Sequence, residues 1–190
     1  SKSFLGGISE LTYPSMVVMR AMFDFLIIET VGVGQSETFI QNLSDSVILG
    51  VQPGSGDSIQ FMKSGIFEIP DIVVVTKCDI KNLSEITYSD LSGSKAYFQN
   101  QNDWEIKIIK ISSAQNIGFD NLFDELNLRW KWLNENKRLD KLRINQDINW
   151  LYSCISKDFG DKGLERIKKN VSYKNSPFSK LKELKSKFNF

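Results

Sequence analysis

The sequence predicts an α/β fold: a mostly parallel sheet covered by helices, followed by an all-helical C-terminal extension. Three observations carry this. Short apolar runs alternate with helix-like stretches over residues 1–118. Three of the runs are apolar at consecutive positions rather than alternate ones, as in strands buried on both faces. After residue 118 only helical periodicity remains. Repeated strand–helix–strand units of this kind wind into a doubly covered parallel sheet. The chain therefore divides into an α/β unit, 1–118, and a helical extension, 119–190.

Four runs read as strands: Phe25-Leu26-Ile27-Ile28, Val47 to Val51, Ile72 to Val75, and Ile106 to Ile111. Between the second and third, Ile59, Met62, Ile66 and Ile69 recur at helical spacing and predict one buried stripe. Beyond 118, Leu122, Leu126, Trp130 and Leu133 form an apolar stripe, and Leu139, Leu142, Ile148, Leu151, Ile155 and Phe159 a rougher one. Trp130, Trp132 and Trp150 read as core or dimer contacts. Gly160 and Gly163 punctuate this region, Pro177 breaks it again, and a Lys-rich helix with a solvated face closes the chain.

Bulk properties narrow the function. At 190 residues, 41% apolar and 25% charged, the chain can bury a real core as one globular domain with an appendage. No apolar run approaches the roughly 18–20 residues needed to span a bilayer, so no membrane association is expected. Two distant cysteines, Cys78 and Cys154, without CxxC spacing, point to a reducing, cytoplasmic setting. The absence of histidine removes imidazole from catalysis and from metal ligation. Residues 1–120 carry a balance of −6 and residues 121–190 a balance of +7. The basic residues lack interleaved stacking aromatics, so no nucleic-acid partner is expected. The first residue is Ser1 rather than Met, which reads as a fragment.

Open parallel sheets bind ligands at the carboxyl ends of their strands. After the first run comes Glu29-Thr30-Val31-Gly32-Val33-Gly34-Gln35-Ser36-Glu37. A carboxylate ending an apolar strand is where a Walker-B acid holds Mg²⁺, directly or through water. Gly32, three residues on, lets the backbone approach a γ-phosphate. The same pattern also suits a strand-to-helix turn with Glu29 as a helix-start charge. Gln35 either orients an attacking water or serves as a switch or helix-start residue. After the third run comes Thr76-Lys77-Cys78-Asp79. Asp79 can accept two hydrogen bonds from guanine N1–H and the exocyclic amine, while the Lys77 stem covers the flat base. Cys78 reads as a small filler. After the fourth run, Ser113 and Ala114 leave room for a backbone N–H to reach guanine O6. These motifs cap successive strands at one edge, which is the constellation of a GTPase. No G-x-x-x-x-G-K-[ST] loop and no Gly-Lys pair occurs.

The stretch 29–37 resembles the hallmark of the MeaB/ArgK family of methylmalonyl-CoA mutase-associated GTPases. Phe4-Leu5-Gly6-Gly7, Pro53-Gly54-Ser55-Gly56-Asp57 with Gln60 and Lys63, and Gly65-Ile66-Phe67-Glu68-Ile69 support the likeness, which runs from about residue 4 to about 155. It implies a P-loop NTPase-like fold with a C-terminal helical dimerisation arm. It further implies a GTP-hydrolysing chaperone that gates cofactor loading and protection of an adenosylcobalamin-dependent acyl-CoA mutase, acting with GTP/GDP and Mg²⁺. Carried over, Glu29 is the Mg²⁺-associated acid acting through water, Gly32 to Gln35 the switch near the γ-phosphate, and Asp57, Gln60 and Lys63 part of a switch facing the mutase. Thr76, Lys77, Asp79, Ser113 and Ala114 then read guanine. Asn is usual in the family where Thr76 stands.

The P-loop, its strand and the first switch are expected to precede Ser1. The chain by itself is then expected to bind GTP poorly or not at all, with a central sheet edge exposed. Two other functions suit the residues: a metal-insertion GTPase, disfavoured by the missing histidine and unclustered cysteines, and a nucleotide-independent docking or dimerisation piece.

Overall fold

The computed structural model describes residues 11–30, 37–54, 69–94, 103–168 and 176–186. Within these the elements run α1 (Thr12–Met22), α2 (Glu37–Ile40), β1 (Ile48–Val51), β2 (Ile72–Val75), α3 (Lys81–Gly93), β3 (Lys107–Lys110), α4 (Phe119–Asn134), α5 (Arg138–Lys168) and α6 (Pro177–Ser186). The three strands pair in parallel in the order β1-β2-β3. Ile48 lies beside Ile72 and Val51 beside Val75; Ile72 lies beside Lys107 and Val75 beside Lys110. The predicted α/β class with a parallel sheet is therefore observed, and all three described strands end at one edge.

The central strand explains the layering. All four residues of β2 are buried. Side chains alternate along a strand, so Val73 and Val75 join Val51, Leu91 and Ile106 on the face covered by α3. Ile72 and Val74 join Ile109 on the opposite face, where Leu122 and Leu126 of α4 pack. Each such Val or Ile contributes about 1.5–3 kcal/mol on burial. Of the helix expected over Ile59 to Ile69, all but Ile69 lies outside the described residues, and Ile69 is a half-buried bend residue rather than a helical one.

The run at 25–28 departs from expectation. It pairs with no strand among the described residues. Leu26 and Ile28 pack against Tyr13, Met16 and Leu43, whereas Phe25 and Ile27 are 92% and 91% exposed. The run is buried on one side only, because a strand needs a neighbour and the outer edge of β1 receives no partner from the described residues. β1 itself is less buried than its composition suggests: only Val51 is fully enclosed, and Ile48 is exposed.

The helical region follows the sequence stripes, with Trp130 half exposed. At Gly160, φ 64° and ψ −167° are not helical, so α5 is two helical stretches meeting at a kink, at a glycine expected to punctuate this region. Between α4 and α5, Asn136 and Lys137 take left-handed conformations, turning the chain within one 3₁₀ turn, Glu135–Lys137. Ile155, Ile167 and Leu184 form a separate core where α6 folds back on α5. Lys185 pairs with Asp158 across it at 2.6 Å. No described helix is long and apolar enough to cross a membrane.

Candidate functional site

The loops after β1, β2 and β3 meet at the carboxyl edge of the sheet. The amide of Thr76 donates to the Val51 carbonyl at 2.9 Å, and its hydroxyl reaches the same oxygen at 3.3 Å. The Cys78 amide donates to Ile111 O at 3.0 Å, and Ile111 N donates to Val75 O at 2.9 Å. Thr76 thus joins its loop to β1, and Cys78 joins it to β3. The loop is further held by Ser84, a fully buried residue of α3, whose hydroxyl donates to Cys78 O at 3.2 Å.

Asp79 is fixed by the first serine of the Ser112-Ser113-Ala114 stretch, to which the sequence assigned no role. Ser112 is fully buried, and its hydroxyl donates to Asp79 Oδ1 at 2.5 Å while accepting from the Gln115 amide at 3.2 Å. Ser112 also exchanges both backbone hydrogen bonds with Ile117, closing the loop that carries Ser113 and Ala114. That closure requires Gly118. It sits at φ +81°, and a Cβ there would lie 2.0 Å from the Lys110 carbonyl oxygen. A carboxylate has about four lone-pair directions. Asp79, held through one oxygen, can still accept two N–H bonds from one planar ligand edge.

Lys77 is exposed and adopts a left-handed conformation, φ 51°, which is uncommon for a residue other than glycine. Its ammonium donates to Gln52 Oε1 at 3.0 Å. Ser113 and Ala114 are exposed beside this loop. The structure therefore brings Thr76, Lys77, Asp79, Ser113 and Ala114 to one sheet edge. Cys78 is half-buried and forms no disulfide.

Glu29 is exposed at the end of the 25–28 segment. Gly32, Gln35, Asp57, Gln60 and Lys63 lie outside the described residues. Among the described residues no group of three or more His, Cys, Asp or Glu is arranged to hold a metal ion.

The residues just after the 29–37 stretch are gripped by α5. The buried Gln146 amide donates to Gln41 O at 3.0 Å and Ser44 O at 2.8 Å. Arg143 makes a two-pronged contact with Asp45, at 3.0 Å from Nε and 2.7 Å from Nη2. That hydrogen-bonded carboxylate holds the guanidinium pKa above its ordinary value. Tyr13 of α1 stacks on Trp150 with centroids 4.7 Å apart, and its hydroxyl donates to Asp147.

A family model for the methylmalonyl Co-A mutase-associated GTPase MeaB matches residues 1–168. The chain belongs to the MeaB family. A probable GTPase of Mycobacterium tuberculosis is 30% identical over 170 residues, covering 87% of this chain and 49% of that protein. A putative GTPase of Pyrococcus abyssi is 31% identical over 162 residues, 82% of this chain and 50% of that protein. A mitochondrial methylmalonic aciduria type A homolog of Caenorhabditis elegans is 30% identical over 155 residues, 80% of this chain and 39% of that protein. The chain spans half or less of the length of these curated relatives. The MeaB match includes the 29–37 stretch, the strand-end loops and all of α5, stopping short of α6.

Proposed function

We propose that this chain is the guanine-reading and partner-coupling part of a GTP-hydrolysing chaperone serving an adenosylcobalamin-dependent acyl-CoA mutase of the methylmalonyl-CoA mutase type. The observation that carries the reading is the convergence at one sheet edge of the Asp79 carboxylate, set by Ser112, with Lys77 and the Ser113-Ala114 loop. Membership of a family of mutase-associated GTPases supports the coupling to a mutase.

In this reading Asp79 accepts the paired N–H donors of guanine, the Lys77 stem covers the base, and a backbone N–H of the Ser113-Ala114 loop donates to O6. Thr76 ties the base loop to β1 rather than touching the base. Glu29 holds Mg²⁺ through water. A single exposed carboxylate suits that ion, which keeps several waters and takes one or two carboxylates plus phosphate oxygens. When bound, Mg²⁺ neutralises charge on the phosphates. Gly32 and Gln35 form the switch beside the γ-phosphate, and Asp57, Gln60 and Lys63 face the mutase. The helices beyond 118 form the arm through which two copies associate.

The test is a base-selectivity swap. Xanthine carries a carbonyl where guanine carries its exocyclic amine, so Asp79→Asn should replace an acceptor with a donor matched to xanthine. Titration of the whole protein with fluorescent GDP and XDP analogues is expected to show guanine preference reversed by at least tenfold in the variant. Equal loss of both nucleotides, or no change in either, would sink the assignment of Asp79. Failure of a coexpressed acyl-CoA mutase to co-purify with the whole protein would count against the chaperone role.

A further inference from the structure

Lys77 has a long, exposed side chain, and a covering role over a flat base requires that it be held in one direction. The fold provides a holder. Gln52 is the first residue after β1, and the register that sets Val51 beside Val75 brings residue 52 alongside the start of the Thr76–Asp79 loop. From there Gln52 Oε1 accepts the Lys77 ammonium at 3.0 Å.

Gln52 is itself set on a fixed backbone. The preceding Val51 is fully enclosed, and its carbonyl accepts both the amide and the hydroxyl of Thr76. The following Pro53 is buried. Gly54, at φ +73°, lies close enough to Leu83 of α3 that a Cβ would sit 3.2 Å from a Leu83 methyl. The acceptor is thus anchored on both sides, while the lysine opposite already has a constrained backbone at φ 51°.

We propose that Gln52 is a positioning residue that presets Lys77 for the base, lowering the entropy lost when the lysine orders on nucleotide binding. The proposal rests on the guanine-reading assignment above.

The experiment is a double-mutant cycle on GDP affinity in the whole protein, read by a fluorescent GDP analogue. Gln52→Met removes the acceptor while keeping the length of the side chain; Gln52→Glu restores an acceptor at the same reach. Gln52→Met is expected to weaken GDP about three- to fivefold, with the thermal midpoint unchanged. Gln52→Glu should stay within about twofold of the parent. In a Lys77→Met background the same Gln52→Met change should have no further effect. Equal weakening in both backgrounds, no weakening in either, or failure of the Glu variant to restore affinity would overturn the proposal. If the whole protein binds GDP and Lys77→Met changes nothing, the guanine-reading assignment fails first and this inference with it.

Discussion

Arg129 offers the sharpest test of how α4 is attached to the sheet. It is 4% exposed, and its Nη2 pairs with Asp71 Oδ1 at 2.7 Å. The guanidinium packs against two indoles that touch each other, 5.0 Å from the Trp104 centroid and 4.5 Å from that of Trp132. Asp71 is tied down separately, accepting the Val47 amide at 2.8 Å through Oδ2 and the Trp104 indole N–H at 2.9 Å through its carbonyl. The cluster is not fully satisfied: Arg129 Nε and Nη1 and Glu125 Oε2 are buried without a hydrogen-bond partner. Burial raises the Asp71 carboxyl pKa despite the nearby guanidinium, and burial lowers that of Arg129 despite the carboxylate. Desolvation therefore outweighs attraction on both sides. Removing one partner should hurt more than removing both. Arg129→Met leaves Asp71 buried and unpaired and is expected to cost about 3–5 kcal/mol at neutral pH. Adding Asp71→Asn, which keeps an acceptor for Val47, should recover about 2 kcal/mol of that loss. Because the folded-state pKa of Asp71 lies above its unfolded value, the native state holds the proton longer. Stability is then fully present below the ordinary carboxylate range and is lost as pH rises through the raised value. The Arg129→Met penalty should accordingly shrink as pH falls toward about 4. Urea unfolding followed by tryptophan emission measures all of this. A single-variant cost below about 1 kcal/mol, or a double variant as unstable as the sum of its parts, would refute the reasoning.

Two further substitutions probe the scaffold of the candidate site. Gly118→Ala places a Cβ 2.0 Å from Lys110 O at a positive φ; it should cost roughly 3 kcal/mol or more in urea unfolding, and weaken GDP by displacing the Ser112 loop. A variant within about 0.5 kcal/mol of the parent would show that the loop adapts freely. Gln146→Leu deletes both donors to Gln41 O and Ser44 O, with the buried, partnerless Oε1 partly offsetting the loss. A net cost of about 2 kcal/mol is expected, with hydrogen exchange accelerated at 41–45 and unchanged in β2. Uniform acceleration across the sheet would contradict a grip confined to that segment.

Much of the sheet was legible because its signals are local. The run from Ile72 to Val75 announces a strand buried on both faces, and its observed bounds match. Leu122 and Leu126 announce the face of α4 that meets the sheet. The strand-end motifs at 76–79 and 113–114 stand just beyond apolar runs, and parallel pairing puts them at one edge. The run at 25–28 misled because apolar composition reports a tendency to bury. It says nothing of whether a neighbouring strand is at hand to satisfy the backbone. Trp130 carried a helical spacing that fits a core, yet it falls at the margin of the stripe and stays half exposed.

The residues that hold the site in place were silent in the sequence. Ser112 is one of two adjacent serines, and nothing in composition says which one turns inward to Asp79. Gln52, Arg129 and Gln146 are polar residues of types found mostly on surfaces. Their importance comes from partners far along the chain: Lys77, Asp71, and the carbonyls of Gln41 and Ser44. By itself, then, the sequence determined the fold class, the family and the candidate loops at the sheet edge, because those arise from periodicity and contiguous motifs. Only the tertiary structure decided which side chains orient those loops, because burial and hydrogen-bond partnership between distant residues exist once the sheet and its helices have packed.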